Sequence, residues 1–308
     1  MNEPEVIERL RRRVGLPRTA GVVLGIGDDC AIVRPRGSAE DWLYTTDMLI
    51  EGTHFLRESH GAADVGWKAL ARGLSDIAAM GGEARFCLLS LALASWVDSR
   101  WLDGFYGGLL SMSECARVAL IGGDLARTGR VMCDIVVAGT VPRGKALRRD
   151  GARSGDAIYV SGALGASALG LATGRGNAWL RHKRPQPRLA LGRFLRARLG
   201  ATAAMDLSDG LSLDLHRLCA ASGLRAEIVA PPQYRGATLE QALHGGEDYE
   251  LLFTAPPRVR VPDSFEGLAL TRIGTMAKGT AGVVEMDGVP LPRLGYDHLR
   301  DDHPGHRR

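Results

Sequence analysis

At 308 residues, 45% of them hydrophobic, the chain is long enough for two domains with sizeable cores, and a net charge of +4 does not mark a nucleic-acid binder. Only four of the 39 basic residues are lysines, and the arginines cluster densely at 9–13 and 181–188 alone, without interleaved aromatics for base stacking, so no nucleic acid is expected as a partner. No apolar run reaches transmembrane length, residues 1–13 are too charged for a signal peptide, and five scattered cysteines contain no CxxC pair, so neither membrane, disulfide framework nor zinc site is expected, and the cytoplasm is the expected compartment.

In chain order, Pro4 to Val14 carries an apolar stripe of Val6, Ile7, Leu10 and Val14 and predicts a helix. Val22 to Val33 predicts two short strands around the acidic turn Gly25-Ile26-Gly27-Asp28-Asp29-Cys30. No helical pattern follows it, so the Gly25-x-Gly27 pair is not a dinucleotide fingerprint. Trp42-Leu43-Tyr44 predicts a strand that delivers Thr45, Thr46 and Asp47, after which a bend at Gly52 presents His54. Hydroxyl and carboxylate oxygens of this kind suit Mg²⁺.

Residues 62–80 predict a helix with Trp67, Leu70, Leu74 and Ile77 facing a core. Lys68, Arg72 and Asp76 follow at i, i+4 and i+8, a spacing that by itself favours a solvated, salt-bridged stripe. Phe86 to Ala94 and Val131 to Val141 predict buried strands, and Trp101 to Leu120 a helix carrying Phe105 and Tyr106. After that helix, Gly122-Gly123-Asp124 reads equally as a helix stop with a surface Asp or as a close backbone approach to a ligand. Gly139 to Ala146 misses a Walker A loop, because Ala146 stands where Ser or Thr is required and Pro142 lies inside it. A bound nucleotide would then have its phosphates held by metals and arginines.

The Gly, Arg and Lys content of residues 142–155 places a domain boundary there, giving units 1–142 and 143–308. The second unit predicts a strand at Asp156 to Ser161, helices at Ala163 to Thr173 and Leu189 to Leu199, and a loop between them in which His182 is a polar residue. Met205 to Gly210 opens a further helix, with Ser208 or Asp209 as its N-cap. Strands follow at 226–229, 249–254, 268–273 and 283–286, and residues 301–308 form a polar tail.

The acidic segments recur in order, flanked by glycine or serine. Gly25 to Ala31, Thr45-Thr46-Asp47 with Gly52-Thr53-His54-Phe55, Leu74 to Gly81, Gly122-Gly123-Asp124, Asp206 to Leu211, Gly245 to Leu251 and Gly295-Tyr296-Asp297-His298 together resemble the thiamine-monophosphate kinases, over about residues 21–299. The wider superfamily holds aminoimidazole ribonucleotide synthetase, selenophosphate synthetase and a hydrogenase-maturation protein. The resemblance implies a two-domain α+β fold, N-terminal halves that pair into a homodimer, and ATP at the junction bridged by several Mg²⁺ ions. It implies metal contacts at Asp29, Thr45, Thr46, Asp47, Asp76, Asp124, Asp206 and Asp209. Nucleotide contacts fall at Tyr106, Gly123, Asp124, Arg149 and Ser208, and substrate contacts at His54, Glu247 and Tyr296. Leu299 stands where the family ends in Phe.

The implied reaction phosphorylates thiamine monophosphate to thiamine diphosphate. Its nucleophile is an already anionic phosphate oxygen, so it needs positioning and charge neutralisation more than a general base, and the sequence offers no base, nucleophile or triad. Two other readings compete. One is another ATP-dependent member of the superfamily with a different acceptor. The other is a non-catalytic nucleotide or metal binder. A selenophosphate synthetase would carry a reactive Cys near a glycine-rich N-terminus, whereas the first cysteine here is Cys30.

Overall fold

A computed structural model of the chain describes residues 3–15, 21–297 and 299; His298 and the tail after residue 300 lie outside the described residues. The N-terminal half runs α1 (Glu3–Val14), β1 (Val22–Leu24), β2 (Ala31–Val33), β3 (Glu40–Ile50), α2 (Ala62–Ala79), β4 (Glu83–Leu93), α3 (Ser99–Ala116), β5 (Ala119–Arg127) and β6 (Met132–Pro142). Its six strands form one sheet in the order β1-β2-β3-β6-β4-β5, with β4 and β5 the parallel pair.

After a short 3₁₀ turn at Arg149–Gly151, the C-terminal half runs β7 (Ala157–Ser161), α4 (Ala166–Thr173), α5 (Gly176–Lys183) and α6 (Leu189–Phe194), which passes into a π-helical turn. Next come β8 (Ala203–Asp206), α7 (Leu211–Ser222), β9 (Arg225–Ile228), α8 (Leu239–His244), β10 (Leu251–Ala255), β11 (Ser264–Phe265), β12 (Leu268–Ala277), β13 (Val284–Met286) and β14 (Val289–Pro290). Its main sheet has the order β14-β13-β9-β12-β7-β10-β8, with β11 paired to β12. The architecture is the expected two-domain α+β fold.

Helix α2 is the shared centre of the molecule. Its apolar and small residues leave no solvent face, so it lies buried between the N-terminal sheet and α3. Backbone-to-backbone packing on α3 requires glycine: a Cβ at Gly66 would sit 1.9 Å from the Phe105 carbonyl oxygen, and one at Gly108 would sit 1.9 Å from that of Ala63. The end of α2 packs into the second half, where Ala78 and Ala79 share an apolar cluster with Leu147, Leu191, Leu251 and Phe253. Trp67 Nε1 also donates to the Pro185 carbonyl at 2.9 Å. The halves therefore share a core.

Several expectations change at this level. The strand expected at 42–44 continues through Ile50, so Thr45, Thr46 and Asp47 alternate between faces instead of turning to one place. Helix α3 stops at Arg117, in the left-handed region at φ 56°, and Gly122-Gly123-Asp124 lies inside edge strand β5 and is neither helix stop nor loop. Helices α5 and α8 and strand β8 are additions. His182 belongs to α5 and is buried, with 3% exposure, which corrects its reading as a polar loop residue. The N-cap of α7 is Gly210. No side chain caps it, in place of the expected Ser208 or Asp209; Asp214 in the first turn instead reaches back to accept from the Asp209 and Gly210 amides, both at 3.1 Å.

Candidate active site

Three carboxylates from three elements meet at the seam between the halves. Asp29 precedes β2, Asp76 lies on α2, and Asp206 ends β8; one oxygen of each lies within 4.8 Å of the others. Asp29 and Asp206 are buried, and Asp29 Oδ2 has no hydrogen-bond partner. Burial, and then the neighbouring carboxylate charges, hold Asp76 and Asp206 well above the usual carboxylate range. Asp28 next to them is pushed up to about 7 by burial and by Asp29. Such a cluster stores repulsion that a divalent cation would relieve.

The donor set is hard oxygen throughout. Thr45 Oγ1 donates to Asp76 at 2.5 Å and Ser75 Oγ to Asp206 at 2.6 Å. Cys30, beside the cluster, is buried with its thiol held well above the ordinary value by burial and the neighbouring carboxylates. The residues fit Mg²⁺ rather than a thiophilic metal.

Arginines surround the acids. Arg149 bonds Asp29, Arg217 bonds both Asp209 and Asp214, and Arg72 meets Asp47 at 2.7 Å. Arg72 also donates to the Met48 carbonyl and lines a neighbouring cavity of about 430 Å³. That cavity draws on both halves, with His54, Phe55 and His60 on one side and Ser208, Glu247, Tyr249 and Tyr296 on the other. Its wall is tied to the acids by backbone bonds, Glu247 N to Ser208 O at 2.8 Å and Tyr296 N to Asp209 O at 3.0 Å. A small organic molecule in the cavity would therefore end beside the carboxylates.

This chain has extended relatives. Its residues 27–141 match the model of AIR synthase related protein, N-terminal domain, and residues 153–287 that of AIR synthase related protein, C-terminal domain. Thiamine-monophosphate kinase of Salmonella typhimurium is 39% identical over 306 residues, covering 90% of this chain and 92% of that protein. The chain belongs to the thiamine-monophosphate kinase family. The solved structure of AaThiL complexed with AMPPCP and TMP superposes with a TM-score of 0.86 at 32% identity, over 97% of each chain. The hydrogenase maturation protein HypE in complex with ATP shares the fold alone, with a TM-score of 0.66 at 17% identity over 93% of this chain and 94% of that one.

In this member of the thiamine-monophosphate kinase family, the residues singled out from sequence fall into two groups. Asp29, Asp76 and Asp206 form the acidic cluster with Thr45, Asp47, Arg149 and Asp209 on its side of the seam, and His54, Ser208, Glu247 and Tyr296 line the cavity. Thr46 points the other way and donates to Asp134 at 2.5 Å. The register Met48↔Asp134↔Ser90↔Asp124 places Asp124 on that same open face, with Gly123 beside it in β5. Tyr106 lies on α3, edge-on to Phe105 with ring centroids 5.7 Å apart.

The largest correction concerns the stripe on α2. Lys68 and Arg72 are buried and Asp76 is half-buried, and all three point into the seam instead of solvent. The signal was present: every other face of α2 is apolar or small, so its polar side chains have no water to reach. Ser75, His60 and Arg217 were not singled out and His182 was read as a polar loop residue, and only their burial in the folded chain reveals them.

Proposed function

We propose that this chain transfers the γ-phosphoryl group of ATP to the phosphate of thiamine monophosphate, giving thiamine diphosphate and ADP. The observation that carries this reading is the adjacency of the carboxylate cluster to the cavity, with Arg72 belonging to both. Thiamine monophosphate would occupy the cavity, with its heterocycles among His54, Glu247 and Tyr296 and its phosphate toward Arg72. Asp29, Asp76 and Asp206, with Thr45, Asp47 and Asp209 beside them, would hold Mg²⁺. When bound, the ions would supply neutralisation of the charge on the two facing phosphates. Arg149 and Ser208 would meet the nucleotide. The acceptor oxygen is already anionic, so no side chain needs to remove its proton, and the chain's work is alignment and charge balance.

The units 1–142 and 143–308 would act as the two walls of the site. A second copy would cover the open face of the N-terminal sheet, where Tyr44 and Met48 are exposed, and enclose Thr46 and Asp124; Ile121 and Leu125 are exposed at the neighbouring edge, on β5. The described helices include none long and apolar enough to cross a membrane, which suits a cytoplasmic enzyme.

The deciding experiment incubates the protein with Mg²⁺, ATP and thiamine monophosphate beside an aminoimidazole precursor as rival acceptor, with products separated by chromatography. Thiamine diphosphate and ADP in equal amounts are expected, and free thiamine should be a poor acceptor. Turnover of the rival alone would keep the metal cradle and overturn the acceptor. Turnover of neither would overturn the enzymatic reading.

A further inference from the structure

Of the four lysines, Lys68 alone is fully buried. Its ammonium meets both oxygens of the Glu247 carboxylate, at 2.8 and 2.9 Å, and donates to the His54 carbonyl at 3.1 Å. The two residues it ties come from opposite halves of the chain, and both line the cavity. A buried ammonium is costly unless paired, and Lys68 has two hydrogen bonds, to Glu247 Oε2 and the His54 carbonyl, with Glu247 Oε1 in ion-pair contact beside them.

Glu247 needs that tie. Its backbone lies in the left-handed region at φ 65°, and Tyr249 two residues on lies there too at φ 51°, an unfavourable path for side chains other than glycine. The adjacent Gly246 packs close to the Ser208 main chain, where a Cβ would sit 2.8 Å from the carbonyl oxygen. Burial alone would raise the Glu247 carboxyl, but the Lys68 and Arg72 charges outweigh it and hold it well below the usual carboxylate range. His182 Nδ1 stands 3.4 Å from the same carboxylate and 2.9 Å from Ser167 Oγ, with its ring stacked on Trp179. A carboxylate held ionised and pointed into a cavity accepts hydrogen bonds only, so it selects ligands that present N–H groups.

We propose that Lys68 is a positioning residue for acceptor recognition, acting through Glu247, which it fixes as an ionised, preoriented acceptor of an amino-heterocycle's N–H. This inference deepens the proposed function and rests on it. Without Lys68 the loop at 245–249 loses its anchor to α2, and the acceptor would bind an unoriented carboxylate. Ser208 is tied to this loop through the Glu247 main-chain N–H, which Lys68 does not touch, so the nucleotide contacts at Arg149 and Ser208 would be held as before.

The test is a double-mutant cycle of the full-length protein: parent, Lys68→Met, Glu247→Gln, and both together. For each, kcat and the KM values for thiamine monophosphate and for ATP are measured at saturating co-substrate. Methionine roughly conserves volume, so a purely structural ion pair could be lost with little change in acceptor KM. A positioning role instead raises the acceptor KM about ten- to a hundredfold, the size of a charge-assisted hydrogen bond, with the KM for ATP within about twofold. The double variant should then be no worse than the worse single. Lys68→Met with a parental acceptor KM, or effects that multiply in the double variant, would overturn the inference. If Lys68→Met does not fold because Glu247 is left unpaired, Glu247→Gln is compared with the double variant, in which that charge is gone. Equal acceptor KM values support the assignment, and a further tenfold or greater rise, of order a charge-assisted bond, overturns it. A parent that turns over no thiamine monophosphate sinks the functional reading and this inference with it. A parent that does, beside multiplying effects, sinks the Lys68 assignment alone.

Discussion

The Ser75 hydroxyl donates a 2.6 Å hydrogen bond to Asp206 Oδ2, joining α2 of the first half to the end of β8 in the second. Ser75 is fully buried and Asp206 nearly so, so neither finds water when the other is removed. Ser75→Ala should cost about 1–3 kcal/mol, the desolvation penalty of a buried acceptor left without its donor. The midpoint of urea unfolding should fall without a change in slope. An unchanged midpoint would mean that the bond does not contribute to holding the halves together.

A second prediction concerns acid. Burial holds the buried His182 imidazole down at about 3 and that of His60 at about 4, so both are neutral in the folded chain at pH 5, whereas the unfolded chain takes up protons near pH 6.5. A depressed histidine contributes stability that is present above the unfolded value and lost as pH falls from about 6.5 toward the folded value. His182 should therefore cost about 2 kcal/mol between pH 7 and pH 5. The crowded carboxylates act in the opposite direction, since their raised values favour the folded state as pH falls. The measurement is thus the difference in unfolding free energy between parent and His182→Gln at the two pH values. The variant should lose less on acidification, and equal losses would remove His182 from the account.

The sequence disclosed the site's inventory better than its geometry. The order of the acidic segments was legible because each is short, sits beside small residues and differs from the apolar runs around it. Faces were harder. Whether Thr45 or Thr46 meets Asp76 depends on where β3 ends, and a three-residue aromatic run did not reveal an eleven-residue strand. Lys68 and Arg72 were misread because i, i+4 charge spacing is common on wet helices, and burial is set by what packs around α2. His182 and Arg217 become partners of Glu247 and Asp209 only through folding, and no local pattern encodes that.

The third prediction is about assembly. Edge strand β5 leaves Ile121 and Leu125 exposed, at 57% and 62%, beside the open face that carries Met48 and Tyr44. An unpaired, apolar edge of this kind invites pairing with a second copy. Light scattering should give twice the 33.0 kDa chain mass at micromolar concentration, and Leu125→Asp should shift it toward one chain. A parental mass of one chain would overturn the dimer. A Leu125→Asp variant that stays dimeric would move the interface elsewhere.

The last prediction separates the acidic cluster as a metal site from the cluster as a structural accident, without using activity. Asp206 is buried against Asp29, and burial and that charge together hold its carboxyl well above the usual range. A group raised in this way contributes stability below its unfolded value and loses it as pH rises through the folded one. At pH 8 without metal, Asp206 is therefore a liability, and Asp206→Asn should unfold at a higher temperature than the parent. The amide oxygen can still accept from Ser75, so that bond is not the cause of any change. Millimolar Mg²⁺ should reverse the ranking. It should raise the parent's unfolding temperature, since a ligand that binds the folded state alone stabilises it by mass action, and it should raise that of Asp206→Asn far less, because one anionic donor is gone. Equal Mg²⁺ shifts in parent and variant would exclude Asp206 as a metal ligand. A metal-free variant less stable than the parent would mean that the attraction of Arg149 outweighs the repulsion among the carboxylates.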